Sequence, residues 1–243
     1  TKWGLGGTCV NVGCIPKKIM HYAGILGHKL TETQALGWEL NGAVENKKHN
    51  WKTLVRNVGD YIKALNYNYK KNLMDAKVEY INAYAKFIDA HTIEYTDEKG
   101  NVKTTTTEKV IIAVGGRPKY PSDVEGAELG ITSDDIFWRE KAPGKTLAVG
   151  ASYISLECAG FLAELGYDVS IMVRSILLRG FDTQSSIQIG EYMERSGIKF
   201  VGHAVPTKLE RRAGPDGPIT VTFQQNTHVN GAGQTVEAGV HEE

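Results

Sequence analysis

The sequence TLAVGASYISLECAGFLAELGYDVSIMV, at residues 146–173, determines the fold class that we predict. Thr146–Val149 is an apolar run of strand length, Gly150–Leu165 has the length and composition of a helix, and Asp168–Val173 is a second apolar run. The alternation continues with a helix and a strand at about Thr183–Ser196 and Ile198–Val201. Strands that alternate with helices pair in parallel, so this part of the chain is predicted to be a parallel α/β unit.

A dinucleotide-binding loop is expected between the first of these strands and the helix that follows it. The pattern G-x-G-x-x-G is incomplete here, because Ser152 and Ser155 replace its second and third glycines, and as a bare pattern it is weak. Ser152 is still small enough for the backbone to approach a pyrophosphate at the helix N-terminus. The candidate nucleotide contacts in this loop are Gly150, Ser152, Tyr153 and Ile154.

The end of the second strand indicates which dinucleotide the loop would bind. NAD sites commonly have an acidic residue there, about 20 positions after the glycines, which holds the ribose hydroxyls. This strand is followed instead by Arg174 and Ser175, with Arg179 nearby. Two guanidinium groups and a hydroxyl suit a 2′-phosphate, which an acid would repel. The sequence therefore favours NADPH over NADH, and the alternative is a pair of surface arginines.

The patterns upstream of residue 146 and after residue 201 are more varied. Apolar residues recur at helical spacing after residue 14 and again over Trp51–Leu73. Short strands are predicted at Val78–Tyr80, Ala85–Ile88, Thr92–Tyr95, Val102–Thr107 and Lys109–Val114. Polar, proline-containing residues 119–143 are typical of a connection between domains. Ile219–Phe223 is predicted to be one strand of a hairpin, but residues 224–243 show no convincing partner strand for it.

The composition disfavours several classes of protein. With 41% hydrophobic and 23% charged residues, the chain is predicted to have a packed core and not to be disordered. Lys plus Arg equals Asp plus Glu at 28 each, so no bulk charge attracts nucleic acid or an anionic membrane. No apolar run approaches the roughly 18 residues of a spanning helix. Three cysteines are too few, and odd in number, for a secreted disulfide scaffold.

Two of these cysteines, Cys9 and Cys14, lie five residues apart within GGTCVNVGCIPKK at residues 6–18. Five residues of regular helix separate Cα atoms by roughly 8 Å, whereas a disulfide needs about 4.4–6.8 Å. A bond between them therefore requires an irregular or distorted first turn, which Gly13 permits. Pro16 indicates a helix N-terminus, where exposed N–H groups and neighbouring lysines lower the pKa of a thiol.

Two other interpretations of this pair remain open on the residues alone. Buried structural cysteines are the more common outcome for a close pair chosen at random. A zinc site is disfavoured, because two cysteines without a second nearby pair make a poor ligand set. The surrounding glycines, proline and lysines favour a reactive disulfide. Cys158, the third cysteine, is expected to be a small core residue.

Residues 6–18 closely resemble the redox-active segment of the pyridine nucleotide–disulfide oxidoreductases, the glutathione reductase family. The resemblance implies that Cys9 is the interchange thiol that meets the substrate and that Cys14 faces the flavin. It also implies that Glu157 pairs with Lys17, which lies near the flavin, and that Tyr153 covers the flavin until nicotinamide displaces it; a packed core tyrosine is the alternative. The residues placed against FAD by the resemblance are Gly7, Thr8, Lys17, Ala85 and Gly115.

Within this family, longer stretches are similar to the animal-type thioredoxin reductases. They are Lys2–Leu5, Glu157–Leu162 and Met172–Asp182, together with residues 126–138, which are similar to the mitochondrial form. The similarity implies a thioredoxin disulfide as substrate, a homodimer when full length, and a cytoplasmic or mitochondrial location. The alternative enzyme is a glutathione reductase or a fused thioredoxin–glutathione reductase. The alternative without enzymatic activity is a truncated module that binds NADPH but does not turn over. Val114 departs from the family, which usually has threonine there.

For the fold, the resemblance implies an α/β protein with two Rossmann-like domains, parallel sheets and antiparallel β-meander insertions. Residues 1–124 would be a partial FAD-binding domain that carries the disulfide, and residues 125–243 a partial NADPH-binding domain. The first FAD-binding glycine loop would precede this chain. The second FAD segment, the interface domain with its His-Pro base and the C-terminal redox tail of such thioredoxin reductases would follow it. We therefore expect a central fragment, truncated at both ends, that is inactive by itself because it lacks the general base and part of the flavin site.

Overall fold

A computed structural model describes residues 4–39, 42, 44, 46–214, 217–229, 235–236 and 239–242. Lys2 and Trp3, which contribute to the similarity with thioredoxin reductases, lie outside the described residues.

The chain begins with two helices that a single glycine separates. Helix α1 comprises Gly7–Val12 and helix α2 comprises Cys14–Ala35, so Gly13 interrupts the helical path. A Cβ atom at position 13 would lie 2.9 Å from the Thr8 carbonyl oxygen, which no side chain tolerates without a shift of the backbone. The amphipathic pattern predicted after residue 14 is thus confirmed as a helix of 22 residues.

A third long helix and a small sheet follow. Helix α3 comprises Trp51–Asp75, and the side chain of Asn50 caps it by accepting a hydrogen bond from the Thr53 N–H. Strands β1 (Tyr84–Phe87), β2 (Thr92–Thr96) and β3 (Val102–Thr106) form an antiparallel sheet in the order β1-β2-β3. The predicted antiparallel meander is present here.

Two of the strands predicted in this region are wrong. Neither Val78–Tyr80 nor Lys109–Val114 is a strand, and the side chains of Ile111 and Val114 are 90% and 86% exposed. A strand is held by hydrogen bonds to a neighbour, and in the part of the chain that the structure describes nothing pairs with Lys109–Val114. An apolar run therefore stays irregular here. Among the described residues up to 124, the sheet is antiparallel and no parallel sheet forms.

The predicted parallel α/β unit is confirmed. After a 3-10 turn at Ala127–Leu129 and the short helix α4 (Ser133–Ile136), the chain forms three parallel strands in the order β4-β5-β6. The elements of this unit are β4 (Thr146–Val149), α5 (Tyr153–Glu164), β5 (Val169–Val173), α6 (Thr183–Arg195) and β6 (Lys199–Gly202). Strand β5 is central and every residue in it is buried, which explains its continuous apolar sequence.

The C-terminal strands differ from the prediction. Strand β8 (Ile219–Gln225) lies between β7 (Ala204–Arg211) and β11 (Gly239–Glu242) in an antiparallel sheet, and β9 (His228–Val229) pairs with β10 (Thr235–Val236). The expectation that residues 224–243 supply no partner strand is therefore wrong. Strand β7 escaped prediction because Pro206 lacks an N–H and the register shifts between Pro206 and Lys208, which disturbs the alternating pattern.

One hydrophobic core joins the N-terminal helices to the parallel unit. Its fully buried members include Met20 on α2, Val58 and Ile62 on α3, Phe161 on α5 and Ile171 on β5. Because these side chains form a single cluster, the cysteine pair and the nucleotide loop are parts of one packed body. The domain boundary expected between residues 124 and 125 stays a prediction. No described helix combines the length and the hydropathy that a membrane-spanning segment needs.

Candidate active site at the cysteine pair

Cys9 and Cys14 form a disulfide across the break between α1 and α2. Their Cα atoms are 4.6 Å apart, within the range that a disulfide allows. The irregular geometry predicted for the pair is present, and it takes the form of a complete break at Gly13 with Cys9 inside a helix of its own. Both cysteines are exposed, and Cys14 is the first residue of α2. The bond is therefore accessible at the positive end of a long helix.

An ion pair connects this helix to α5. Lys17 lies one turn after Cys14, and its Nζ is 2.8 Å from Oε1 of Glu157. The two side chains are 27% and 40% exposed, so the pair contributes little to stability, about 0–1 kcal/mol. Its consequence is orientation, because it directs the Lys17 side chain towards α5 from a position one turn after Cys14. The ion pair is present as the family resemblance implies, and the catalytic roles of the two residues stay predictions.

Cys158 follows Glu157 on α5 and has different chemistry from the bonded pair. It is a free thiol that packs against the main core. Burial raises the pKa of Cys158 to about 12, the Glu157 carboxylate adds to this increase, and the Lys17 ammonium group opposes it. A thiol with this pKa is protonated at neutral pH and is a poor nucleophile. Cys158 is therefore half-buried against the core, and we expect no nucleophilic role for it.

A second contact between α2 and α5 lies farther along both helices. His21 Nδ1 is 3.2 Å from Oε2 of Glu164, and Gly24 is buried beneath the same glutamate. Lys17, His21 and Gly24 are spaced by four and three residues, so they share one face of α2. No pattern in the sequence predicts this contact, because the contact depends on how α2 and α5 cross.

We expect alanine at Gly24 to destabilise the chain by about 1–3 kcal/mol, as overpacking does in cores. A Cβ atom there would lie 2.5 Å from Oε2 and 2.7 Å from Cβ of Glu164, so the two helices must separate. Gly27→Ala is the matched control, because the added Cβ meets nothing within 4 Å. That change should stabilise the same helix by about 0.5–1 kcal/mol. Urea unfolding followed by tryptophan fluorescence measures both, and equal effects would contradict close packing at Gly24.

A buried asparagine, which the sequence analysis did not single out, fixes the segment between the two cysteines. Asn11 is fully buried, and its Nδ2 donates to the carbonyl oxygens of Gly7 at 2.8 Å and Leu5 at 3.2 Å. Its Oδ1 accepts a hydrogen bond of 3.1 Å from Nδ2 of Asn66 on α3, and its carbonyl oxygen accepts one of 3.0 Å from Nε1 of Trp138. The available signal was a polar residue between two valines in a glycine-bounded loop.

The predicted nucleotide loop lies at the end of β4. Gly150 has φ +108°, a left-handed conformation that favours glycine, and its N–H donates to the Met172 carbonyl oxygen on β5 at 2.9 Å. Ser152 is the N-cap of α5, and its side chain makes no capping hydrogen bond. The first N–H groups of α5 therefore remain available to an anion. Tyr153 and Ile154 are exposed at the same end of the helix.

The predicted phosphate-binding residues follow the neighbouring strand. Arg174 and Arg179 are exposed, and Nη2 of Arg179 donates to Oγ of Ser175 at 2.6 Å. The Leu178 N–H donates to the Ala151 carbonyl oxygen at 2.9 Å, which ties this loop to the Gly150 loop. Both loops lie at the carboxyl ends of β4 and β5, the edge of a parallel sheet where nucleotides bind. This arrangement fits a dinucleotide with a 2′-phosphate.

The candidate flavin contacts fall into two groups. Gly7 and Thr8 are exposed at the start of α1, close in sequence to Cys9, and Lys17 lies one turn after Cys14. These three fit a flat group that approaches the disulfide. Ala85 instead pairs with Tyr95 in the antiparallel sheet, and Gly115 is exposed in an irregular segment with φ +69°. The structure does not bring these two to the cysteine pair. No described group of three His, Cys, Asp or Glu side chains could hold a metal ion.

Comparison with known families supports the assignment that these sites suggest. The family described as pyridine nucleotide-disulphide oxidoreductase matches residues 2–242, nearly the whole chain. The chain belongs to this family. Family membership confirms the α/β class at a coarse level, with parallel and antiparallel sheets, and leaves the second Rossmann-like domain unconfirmed.

Relatives of this pyridine nucleotide–disulfide oxidoreductase include several thioredoxin reductases. Thioredoxin reductase SEP1 of Emiliania huxleyi is 51% identical over 96% of this chain and 46% of its own length. Thioredoxin reductase 2, mitochondrial, of Drosophila melanogaster is 52% identical over 93% of this chain and 43% of its own length. Thioredoxin reductase of Plasmodium falciparum (isolate FCH-5) is 50% identical over 93% of this chain and 41% of its own length. The chain thus spans less than half the length of these relatives, and the predicted similarity to thioredoxin reductases is confirmed.

Proposed function

We propose that the protein is an NADPH-dependent thioredoxin-disulfide reductase, in which electrons pass from NADPH through FAD to Cys9–Cys14 and then to thioredoxin. One observation carries the proposal. Helix α5 begins at the nucleotide loop and bears Glu157, which holds Lys17 one turn from the accessible disulfide. A single helix therefore connects the site that would receive the reductant to the bond that would be reduced.

In the first part of the proposed reaction, the chain binds and orients NADPH. The guanidinium groups of Arg174 and Arg179 and the hydroxyl of Ser175 would hold the 2′-phosphate. The N-terminus of α5 would hold the pyrophosphate beside Gly150 and Ser152. These contacts would direct the nicotinamide towards Tyr153, whose side chain is 52% exposed.

In the second part, the disulfide accepts two electrons. When bound, FAD supplies the relay that takes a hydride and passes on its electron pair. The electron pair breaks the S–S bond, one proton, equivalent to that carried by the hydride, converts the Cys9 sulfur to the exchange thiol, and Cys14 remains as a thiolate. The positive end of α2 and the Lys17 ammonium group stabilise that thiolate. Cys9 then attacks the next disulfide on the route to thioredoxin, and Cys14 displaces Cys9 from the mixed disulfide, which restores the Cys9–Cys14 bond.

Anaerobic addition of NADPH to the FAD-loaded protein tests the proposal. The visible flavin absorption should fall, a long-wavelength band should appear, and two new thiols per chain should be titratable. Thioredoxin disulfide should reverse all three changes. Reversal by glutathione disulfide alone would assign a glutathione reductase instead. If NADPH binds and no new thiols appear, the chain is a nucleotide-binding module and not a reductase.

We also propose a homodimer for the full-length protein and a cytoplasmic or mitochondrial location. The mitochondrial name of the Drosophila relative supports the latter. Sedimentation of the full-length protein and imaging of the tagged protein test these two proposals.

A further inference from the structure

Residues 9–14, the end of α1 and the start of α2 that the disulfide closes into a covalent loop, are held from outside by residues that take no part in the electron path described above. Asn66 on α3 donates from Nδ2 to Oδ1 of Asn11 at 3.1 Å and also to the Leu5 carbonyl oxygen. Asn11 lies between Cys9 and Cys14 and is fully buried. The Asn66 side-chain amide therefore connects helix α3 to Leu5 and to Asn11, which lies between the two cysteines.

The residues around the Asn66–Asn11 hydrogen bond are closely packed. Gly4 has φ +99°, and a Cβ atom there would lie 2.8 Å from Oδ1 of Asn66. Trp138 donates to the Asn11 carbonyl oxygen at 3.0 Å, and its ring lies over Gly59 of α3, where a Cβ atom would be 3.2 Å from the ring. Residues 9–14 are therefore held by hydrogen-bonded polar groups, of which Asn11 is fully buried, an arrangement that specifies local structure.

We propose that Asn66, acting through Asn11, is a positioning residue that sets the reduction potential of the Cys9–Cys14 pair. The disulfide and the asparagine contact favour the same loop conformation, so each stabilises the other by the same free energy. In the dithiol form this covalent closure is lost, and only non-covalent contacts, including the asparagine contact, then order residues 9–14. The contact is therefore stronger in the disulfide form, and it lowers the reduction potential.

This inference rests on the redox role proposed for the pair, but its test needs neither FAD nor NADPH. The chain is equilibrated with glutathione, where one Cys9–Cys14 disulfide and two glutathione thiols give two cysteine thiols and one glutathione disulfide. In Asn66→Ala the equilibrium should shift about tenfold towards the dithiol, which for a two-electron couple is about 30 mV. Asn57→Ala is the matched control, because Asn57 is exposed on the same helix and should leave the equilibrium unchanged.

An unchanged equilibrium in Asn66→Ala, or a shift towards the disulfide, overturns the inference. If that variant does not fold, the wild-type chain provides a second measurement. The side-chain amide protons of Asn66 should exchange with solvent about tenfold faster in the dithiol form than in the disulfide form, and equal rates overturn the inference. If NADPH fails to reduce the pair in the FAD-loaded protein while Asn66→Ala still shifts the glutathione equilibrium, the proposed function fails and this inference stands, which distinguishes the two failures.

Discussion

Replacing Cys14 with serine should abolish thioredoxin reduction and the long-wavelength band that NADPH produces in the FAD-loaded protein. The hydroxyl of serine forms no disulfide and remains protonated at neutral pH, so no electron pair can be stored at this position and no thiolate can face the flavin. Because Cys14 begins α2, the substitution changes one exposed sulfur atom and leaves the core intact. Anaerobic absorption spectra with NADPH, together with a thioredoxin turnover assay, measure both effects.

Two other serine variants serve as controls for this prediction. Cys9→Ser should also lose turnover, but its free Cys14 thiolate should show the long-wavelength band even before NADPH is added. Cys158→Ser should behave as the wild type, because that thiol is buried and protonated. A long-wavelength band that survives in Cys14→Ser and disappears in Cys9→Ser would mean that Cys9 is the thiol that faces the flavin.

The double change Arg174→Ala and Arg179→Ala should weaken NADPH binding by a factor of about 10² to 10⁴ and leave NADH binding nearly unchanged. Hydrogen bonds to charged groups contribute about 1.5–3 kcal/mol each, and the variant loses at least two of them with the 2′-phosphate. NADH has no such phosphate and loses nothing comparable. Isothermal titration with each nucleotide measures the two affinities.

The control for this variant is Arg195→Ala, which removes an exposed arginine from α6 in the same parallel unit. It should leave both affinities unchanged. Equal weakening of NADPH and NADH by the double change would show that Arg174 and Arg179 support the loop and do not recognise the 2′-phosphate.

The parallel unit and the cysteine motif could be predicted from the sequence because their signals are local. Strand β5 is buried along its whole length, so its sequence is continuously apolar, and β4, α5 and α6 begin or end within about three residues of the predicted bounds. The distance argument for Cys9–Cys14 likewise used only helix geometry and Gly13.

Strand pairing was less predictable, because a strand depends on a partner elsewhere. Lys109–Val114 has the apolar composition of a buried strand but no partner among the described residues, whereas β11 pairs with β8 although its own sequence, Gly239–Glu242, carries little strand signal. Propensity describes one segment, while hydrogen bonding in a sheet requires two.

The sequence by itself determined the family and the α/β class, and it predicted the Cys9–Cys14 pair and a 2′-phosphate site, because each of these depends on residues that are close neighbours along the chain. The family resemblance also implied that Lys17 meets Glu157, whereas only the tertiary structure decided that Gly24 lies beneath Glu164 and that Asn66 holds Asn11. The partners in these last two contacts are 140 and 55 residues apart. Their contacts come from the way α2 packs on α5 and α1 on α3, and helix packing is set by the shape of the whole core.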